Sequence, residues 1–286
     1  MVIAELLELG MEILGQREYI NEQLEVRLIL AKLMEVDKSY IYAHEDLEVD
    51  KELEDKFLET MKKRSQGYPI QYILNEKEFM GLDFYLDEGV LIPRPDTENL
   101  VEYVIDYINE NYKDRRVNVL DLGIGSGAIG LSIAHFCKQS YVYATDVSQD
   151  AIKVSGINKK RFKLDNVEIL MGNLFEPVSN MKDFFDIIVS NPPYIESHEI
   201  SKLQSEVKDY EPIMALDGGE DGLKYYRDIS RDAKEFLRHG GLLIYEIGYN
   251  QAKKVSDILI DENYRDIEII KDLQGLDRVI LGRWGE

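Results

Sequence analysis

The stretch Phe185-Asp186-Ile187-Ile188-Val189-Ser190-Asn191-Pro192-Pro193-Tyr194 decides how the rest of the chain is read. Its first six residues have the length and β-branched content of a strand buried in a sheet. Pro192 and Pro193 carry no N–H, so neither continues a ladder of hydrogen bonds, and the strand is predicted to end at Asn191. A stiff loop then stands at a strand's carboxyl end, where open α/β sheets bind their ligands. The proline rings leave the Pro192 carbonyl little freedom, Asn191 adds a second acceptor, and Tyr194 adds an aromatic face. Two acceptors and a flat ring suit a planar group bearing an NH2, either an amide or the exocyclic amine of a base. A bare Asn-Pro-Pro reads as a structural turn; its place after a buried strand and before a tyrosine favours function.

Seventy residues upstream the pattern is strand, then helix, repeated. Val117 to Leu122 is a short apolar strand running into Gly123-Ile124-Gly125-Ser126-Gly127, and Ala128 to Phe136 reads as a helix. Glycines there permit a tight turn, close approach of a ligand to the backbone and close helix–strand packing. A second strand, Tyr141 to Thr145, ends at Asp146, roughly 20 positions past the glycines, where an acid grips a ribose diol. The order strand, glycine loop, helix, strand, acid points to a nucleoside-containing cofactor. Gly125, Gly127 and Gly130 also match G-x-G-x-x-G, which makes a nicotinamide dinucleotide a rival. Against it, a dehydrogenase has no need of two carbonyl-type acceptors for an NH2 after the fourth strand.

Composition bounds the rest. A chain of 286 residues with a 44% hydrophobic share fits one large domain and a small one. No apolar run approaches the roughly 18 residues of a membrane span, and Met1 to Glu5 lacks the basic start of a signal peptide, so a soluble cytoplasmic protein is expected. Cys137 is the single cysteine, and His44, His135, His198 and His239 have no companions at ligand spacing, so no metal is proposed. With 34 Lys+Arg against 55 Asp+Glu the formal charge is −21, which disfavours sequence-independent nucleic-acid binding; a basic protein suits it better as a partner.

Residues 1–75 read as a small helical domain. A first helix carries Leu6, Leu7, Ile13 and Leu14 and stops near Gly15; a second runs from Asn21 to Met34. A third starts at the N-cap Asp50, with acids early, Lys62, Lys63 and Arg64 late, and Gly67 at its end. Residues 76–95 form a joint: Phe79, Leu82, Phe84 and Leu86 suggest a hairpin turning at Asp87-Glu88-Gly89, followed by Val90 to Ile92. Pro93-Arg94-Pro95 is stiff, and Asp96-Thr97-Glu98 opens the next helix. Arg94 suits either a salt bridge or a positive group at the mouth of a site. Towards the end, Gly240-Gly241 is expected to break a helix before the strand Leu242 to Tyr245, with Glu246 placed to support the site. Ile267 to Ile270 and Arg278 to Leu281 lie too close together for a parallel crossover and should pair antiparallel.

Over essentially its whole length the sequence resembles the S-adenosylmethionine-dependent N5-glutamine methyltransferases of peptide chain release factors, the PrmC/HemK family. The resemblance runs through Gly67 to Tyr72, Leu91 to Glu98, Asp121 to Gly127 and Asn191 to Tyr194. It continues through Glu211-Pro212, Ala215 to Gly219, Asp221 to Leu223, Glu246 to Gly248 and Asp277-Arg278. Asn-Pro-Pro-Tyr alone is shared with adenine-N6 methyltransferases; the proline-arginine-proline segment with a helical amino-terminal domain is more specific. The resemblance implies a Rossmann-like class I α/β fold, residues 96–286, with a seven-stranded mostly parallel sheet and one reversed strand. The helical domain would recognise the substrate. Gly123, Ile124, Gly125, Ser126 and Gly127 would line the methionine portion of S-adenosylmethionine, Asp146 would hold its ribose, and Asn173 and Leu174 would flank its adenine. The family often has Asp where this chain has Asn173. Asn191, Pro192, Pro193 and Tyr194 would bind the substrate amide, with Asn191, Pro192 and Tyr194 catalytic and Asn191 also touching the cofactor. The implied reaction methylates the glutamine of a Gly-Gly-Gln motif in a class I release factor and leaves S-adenosylhomocysteine. Alternatives are an adenine-N6 nucleic-acid methyltransferase, an NAD-dependent dehydrogenase, and a non-catalytic cofactor-binding module.

Overall fold

The computed structural model describes residues 1–15, 20–113 and 115–285. They fall into two compact units, 1–76 with 204–210, and 77–203 with 211–286.

The first unit is helical: Ile3–Leu14, Glu22–Met34, Lys38–Ala43, Lys51–Ser65 and Ile70–Leu74. Asn21 Oδ1 accepts the Leu24 N–H at 3.1 Å and Asp50 Oδ1 accepts that of Leu53 at 2.8 Å, so the two longest helices start where the capping residues put them. Ile3, Leu6, Leu7, Val26, Ile29, Leu30, Phe57 and Met61 form its core. The helices Lys38–Ala43 and Ile70–Leu74 are too short to show a period in sequence, and the sequence reading has no counterpart for them. Residues 204–210, distant in sequence, belong to this unit, and a buried arginine is one of the side chains that tie them to it. Arg64 is 2% exposed, and its Nε reaches Glu25 Oε2 at 2.6 Å while Nη1 reaches Glu206 Oε1 at 2.7 Å. Tyr68 and Tyr210 meet edge to face at 5.3 Å.

The second unit begins with a hairpin, β1 (Glu76–Phe79) and β2 (Leu82–Tyr85). Its turn is Met80-Gly81, both at positive φ (53° and 70°), rather than the expected Asp87-Glu88-Gly89. A two-residue turn with two left-handed residues matches the twist of paired strands, and Met at the first position hides it from a reading that looks for Asn-Gly or Asp-Gly. Val90 to Ile92 form no strand.

The sheet contains β3 (Val117–Leu122), β4 (Ser140–Asp146), β5 (Val167–Met171), β6 (Phe185–Ser190), β7 (Leu237–Glu246), β8 (Arg265–Lys271) and β9 (Asp277–Arg283). Their order is β5-β4-β3-β6-β7-β9-β8; β9 runs antiparallel to both neighbours, and the pairs from β5 through β7 are parallel. This is the seven-stranded, mostly parallel sheet with one reversed strand that was expected. β6 is buried at all six positions, as its unbroken apolar run requires. Gly240-Gly241 does not break a helix. The helix Lys224–Ala233 ends earlier, and both glycines lie inside β7, where its register against β6 shifts between Phe185 and Ile187. Gly240 adopts φ 80°, and the Gly241 carbonyl accepts the Trp284 N–H at 2.9 Å, so the pair makes a bulge.

Gly10 shows how closely the helical unit is packed: a Cβ there would lie 2.3 Å from Val26 Cγ1 and 2.8 Å from Phe57 Cζ. Gly10→Ala is therefore expected to destabilise this unit by about 1–3 kcal/mol despite its better helix propensity, measured by denaturant unfolding of the full chain.

Candidate active site

Parallel pairing sets the site. β3 and β6 are neighbours, with Leu122 in register with Ser190, so the glycine loop after one and the proline loop after the other leave the sheet side by side. The Ser190 hydroxyl donates to the Leu122 carbonyl at 2.7 Å and fastens the two ends together. A cleft opens over them, lined by Gly123, Ile124, Gly125 and Ser126 on one side and by Asn191, Pro192 and Pro193 on the other. Asp146, Asn173 and Leu174 line it as well, as do Arg94 and Thr97.

Two of the predicted residues stand outside the lining. Gly127 has φ 93°, and a Cβ there would lie 2.4 Å from Leu131 Cδ1; it opens the helix Ala128–Phe136 rather than facing the cleft. Tyr194 turns into the protein. Its ring joins the apolar core, its hydroxyl donates to Glu246 Oε1 at 3.5 Å, and its carbonyl accepts the Gln251 side-chain N–H at 3.0 Å. Burial above all pushes its phenol well above the usual range, with the nearby Glu246 carboxyl adding to it. The expected aromatic face for the substrate is thus a wall behind the loop.

The glycine loop is held from both ends. Gly123 and Ile124 N–H donate to the Thr145 carbonyl at 2.9 and 3.0 Å, and the Gly125 N–H donates to Asp146 Oδ2 at 2.9 Å. Asp146 Oδ1 accepts the Ser148 N–H, also at 2.9 Å, so this carboxylate shapes the loop besides facing the cleft. Gly123 and Gly125 have positive φ (81° and 53°), and no atom lies within 4 Å of where a Cβ would project, so bare backbone meets the cleft. The Thr145 hydroxyl donates to the Leu174 carbonyl at 2.9 Å and fixes the Asn173–Leu174 corner. Asn158 is fully buried and was missed in sequence. Its side chain accepts the Tyr85 N–H at 2.7 Å and donates to the Tyr85 and Ser126 carbonyls at 2.9 Å each, tying the hairpin to the glycine loop. A polar residue inside an otherwise ordinary helix, Gln149–Arg161, gives no periodic signal.

The proline loop is held by glycines that lie against it. Ile195 N–H donates to the Leu216 carbonyl at 3.0 Å and Gly218 N–H to that of Ile195 at 2.8 Å. A Cβ on Gly218 would come within 2.8 Å of the Pro193 oxygen, and one on Gly222 within 2.4 Å of the Tyr194 oxygen. Arg94 lines the cleft, and its Nη2 meets the buried Glu211 Oε1 at 2.6 Å.

Two buried carboxyls flank the floor. Asp121, 0% exposed, accepts the Gly130 N–H at 2.9 Å through Oδ2 while Oδ1 has no partner among the described residues. Burial pushes it up to about 7, against the Gly130 N–H and with help from Asp146. Gly130, one of the G-x-G-x-x-G glycines, is thereby a packing position, since its Cβ would lie 2.7 Å from Asp121 Oδ2. Glu246, 1% exposed, is also raised to about 7, chiefly by burial; the Thr97 hydroxyl, Arg278 and the Asn191 amide pull it down and Asp96 pushes it up.

Residues 102–207 match the methyltransferase small domain and residues 5–74 the PrmC N-terminal domain. The release factor glutamine methyltransferase of Clostridium acetobutylicum is 46% identical over 257 residues, 89% of either chain. That of Clostridium botulinum is 39% identical over 285 residues, 99% of either chain. The crystal structure of a methyltransferase from Pyrococcus furiosus shares the fold, with a TM-score of 0.53 at 19% identity over 72% of this chain and 91% of that one. Sheet order, glycine loop and acceptor loop define a class I methyltransferase. The chain belongs, within that class, to the release factor glutamine methyltransferase family.

At Asp121 and Glu246 the folded chain keeps protons that the unfolded chain gives up near the ordinary carboxylate pKa. Their contribution to stability is therefore full in acid and is lost as pH rises through about 7. Asp121→Asn, which removes one such charge, is expected to raise Tm at pH 8 by roughly 3 °C and to leave it nearly unchanged at about pH 4, where the unfolded carboxyl also keeps its proton; thermal melts of both chains across that range check this.

Proposed function

We propose that this protein transfers a methyl group from S-adenosylmethionine to the side-chain amide nitrogen (N5) of the glutamine in the Gly-Gly-Gln motif of class I peptide chain release factors. It does so in the cytoplasm, with the helical unit recognising the release factor. The observation that carries the reading is the rigid acceptor pair of Asn191 and Pro192 facing one cleft with the bare backbone of Gly123 and Gly125. The relatives are named release factor glutamine methyltransferases, and no described helix is long and apolar enough to cross a membrane.

The lining fits S-adenosylmethionine. Gly123 to Ser126 offer open backbone to the methionine portion, Asp146 offers a carboxylate to the ribose, and Asn173 and Leu174 offer an amide and an apolar wall to the adenine. Bound there, the cofactor supplies a methyl group made electrophilic by a sulfonium. The chain's own contribution is to a weak nucleophile, an amide nitrogen whose lone pair is delocalised into its carbonyl. Asn191 Oδ1 and the Pro192 carbonyl each accept one N–H of the glutamine, which fixes the nitrogen and turns its lone pair towards the cofactor side of the cleft. Both acceptors carry partial negative charge and favour the positive charge that builds on nitrogen during transfer. The methylated nitrogen then loses its proton readily, so no strong base is required.

Asn191→Ala is expected to lower kcat about 100-fold or more while S-adenosylmethionine affinity changes by less than about fivefold. Mass spectrometry of the Gly-Gly-Gln peptide and titration calorimetry measure the two. Methylation of DNA in place of the release factor, or equal loss of binding and turnover in the variant, would overturn the assignment.

A further inference from the structure

Oδ1 of Asn191 can accept from the substrate only if its amide keeps one of its two orientations. The proline rings do not set that orientation, because they constrain the backbone and leave the asparagine amide free to turn. The structure shows which groups face the other end of the amide. Asn191 Nδ2 donates to Thr97 Oγ1 at 3.3 Å. Thr97 is buried in the first turn of the helix Thr97–Asn111, and the Thr97 hydroxyl and the Asn191 amide both face the Glu246 carboxyl and favour its charged form. Glu246 closes β7 beside the end of β6, where Ser190 is in register with Tyr245.

We infer that Glu246, acting on the amide directly and through Thr97, is the positioning residue that locks the Asn191 amide with its NH2 inward and its oxygen towards the substrate. The inference rests on the proposed function and deepens it. The logic is one of donors and acceptors. An ionised carboxylate only accepts, so the single hydroxyl proton of Thr97 is committed to Glu246. The Thr97 oxygen is then left to accept, and only the NH2 end of Asn191 can give it a proton. A turned amide would set Asn191 Oδ1 against the Thr97 oxygen and the Glu246 carboxylate, acceptor facing acceptor in a dry pocket, which is costly. Glu246 is buried among apolar neighbours such as Tyr226 and Tyr245, and its Oε2 has no partner among the described residues. Such a carboxylate has a structural cost, and aiming Asn191 is what it does in return.

Protonation would undo the arrangement. A neutral Glu246 can donate to Thr97, which releases the hydroxyl proton and removes the bias on the amide. The charged and titratable groups around it are Asp96 and Arg278, with the phenols of Tyr194 and Tyr226 packed close by. Arg278 is itself held by Asp96 and Asp272 at 3.0 Å each, and it favours the ionised form of Glu246.

The test combines turnover with a substrate-free readout. Glu246→Gln is expected to lower kcat for release-factor methylation about 20-fold or more, with the KM for the factor and the affinity for S-adenosylmethionine within about threefold of wild type. The acid limb of the wild-type kcat profile should vanish in this variant, and Thr97→Val should reproduce part of the loss. In selectively ¹⁵N-asparagine-labelled protein without substrate, the Asn191 side-chain amide signals should shift as pH falls through about 7, and Glu246→Gln should abolish that response. Glu246→Gln turning over within about twofold of wild type, or Asn191 signals that ignore pH in the wild-type chain, would overturn the inference. A wild-type chain that fails to methylate the release factor instead overturns the proposed function, and the amide signals still decide the role of Glu246.

Discussion

The register of β3 on β6 is the constraint from which the rest follows. Parallel strands in neighbouring positions end at the same edge, and here both end in loops that the ladder cannot continue. One is bare glycine backbone suited to a ligand rich in polar groups; the other is proline-stiffened and presents acceptors. A slip of one residue would turn every side chain of β6 to the opposite face and carry Asn191 away from the cleft. The register is held by the complete burial of β6 and by the Ser190 hydroxyl on the Leu122 carbonyl. Core packing and site geometry are thus set by the same pairing.

Around that edge, the polar groups are arranged mainly to hold backbone. Asp146 grips the Gly125 and Ser148 N–H groups, Thr145 receives the glycine loop and anchors Leu174, and Asn158 ties Tyr85 to Ser126. Each replaces the hydrogen bonds that a loop loses when it leaves a sheet, which is why loops without regular structure can stay fixed at the mouth of a cleft. Gly218 and Gly222 act in the same way from outside, letting one loop lie directly on the backbone of Pro193 and Tyr194.

Sequence patterns revealed what depends on runs and punctuation. The buried strand Phe185 to Ser190 announces itself by a continuous apolar run, and the cap Asp50 by residue type. The reading failed where tertiary partners override local preference. Met80 accepts a positive φ that Asp-Gly or Asn-Gly would take more easily, and Gly240-Gly241 is held in β7 as a bulge by Trp284. Residues 204–210 join the helical unit in part through Arg64, a contact across well over a hundred residues that no local window contains. The direction of the Tyr194 ring was not legible in the sequence, because a side chain's face is decided by what packs against it.

Asp121 and Glu246 show why a chain with surplus acid on its surface also buries it. Solvated carboxylates keep the protein soluble and contribute little elsewhere. A carboxylate without water must be matched by donors, and where donors are few it shifts towards its neutral form. That makes it a poor stabiliser but a strong director, since an acceptor in an apolar pocket dictates which atom of its neighbours must turn towards it. At Asp121 the neighbour is the Gly130 N–H, and the result is a helix pressed against β3. At Glu246 the neighbours are the Thr97 hydroxyl and the Asn191 amide.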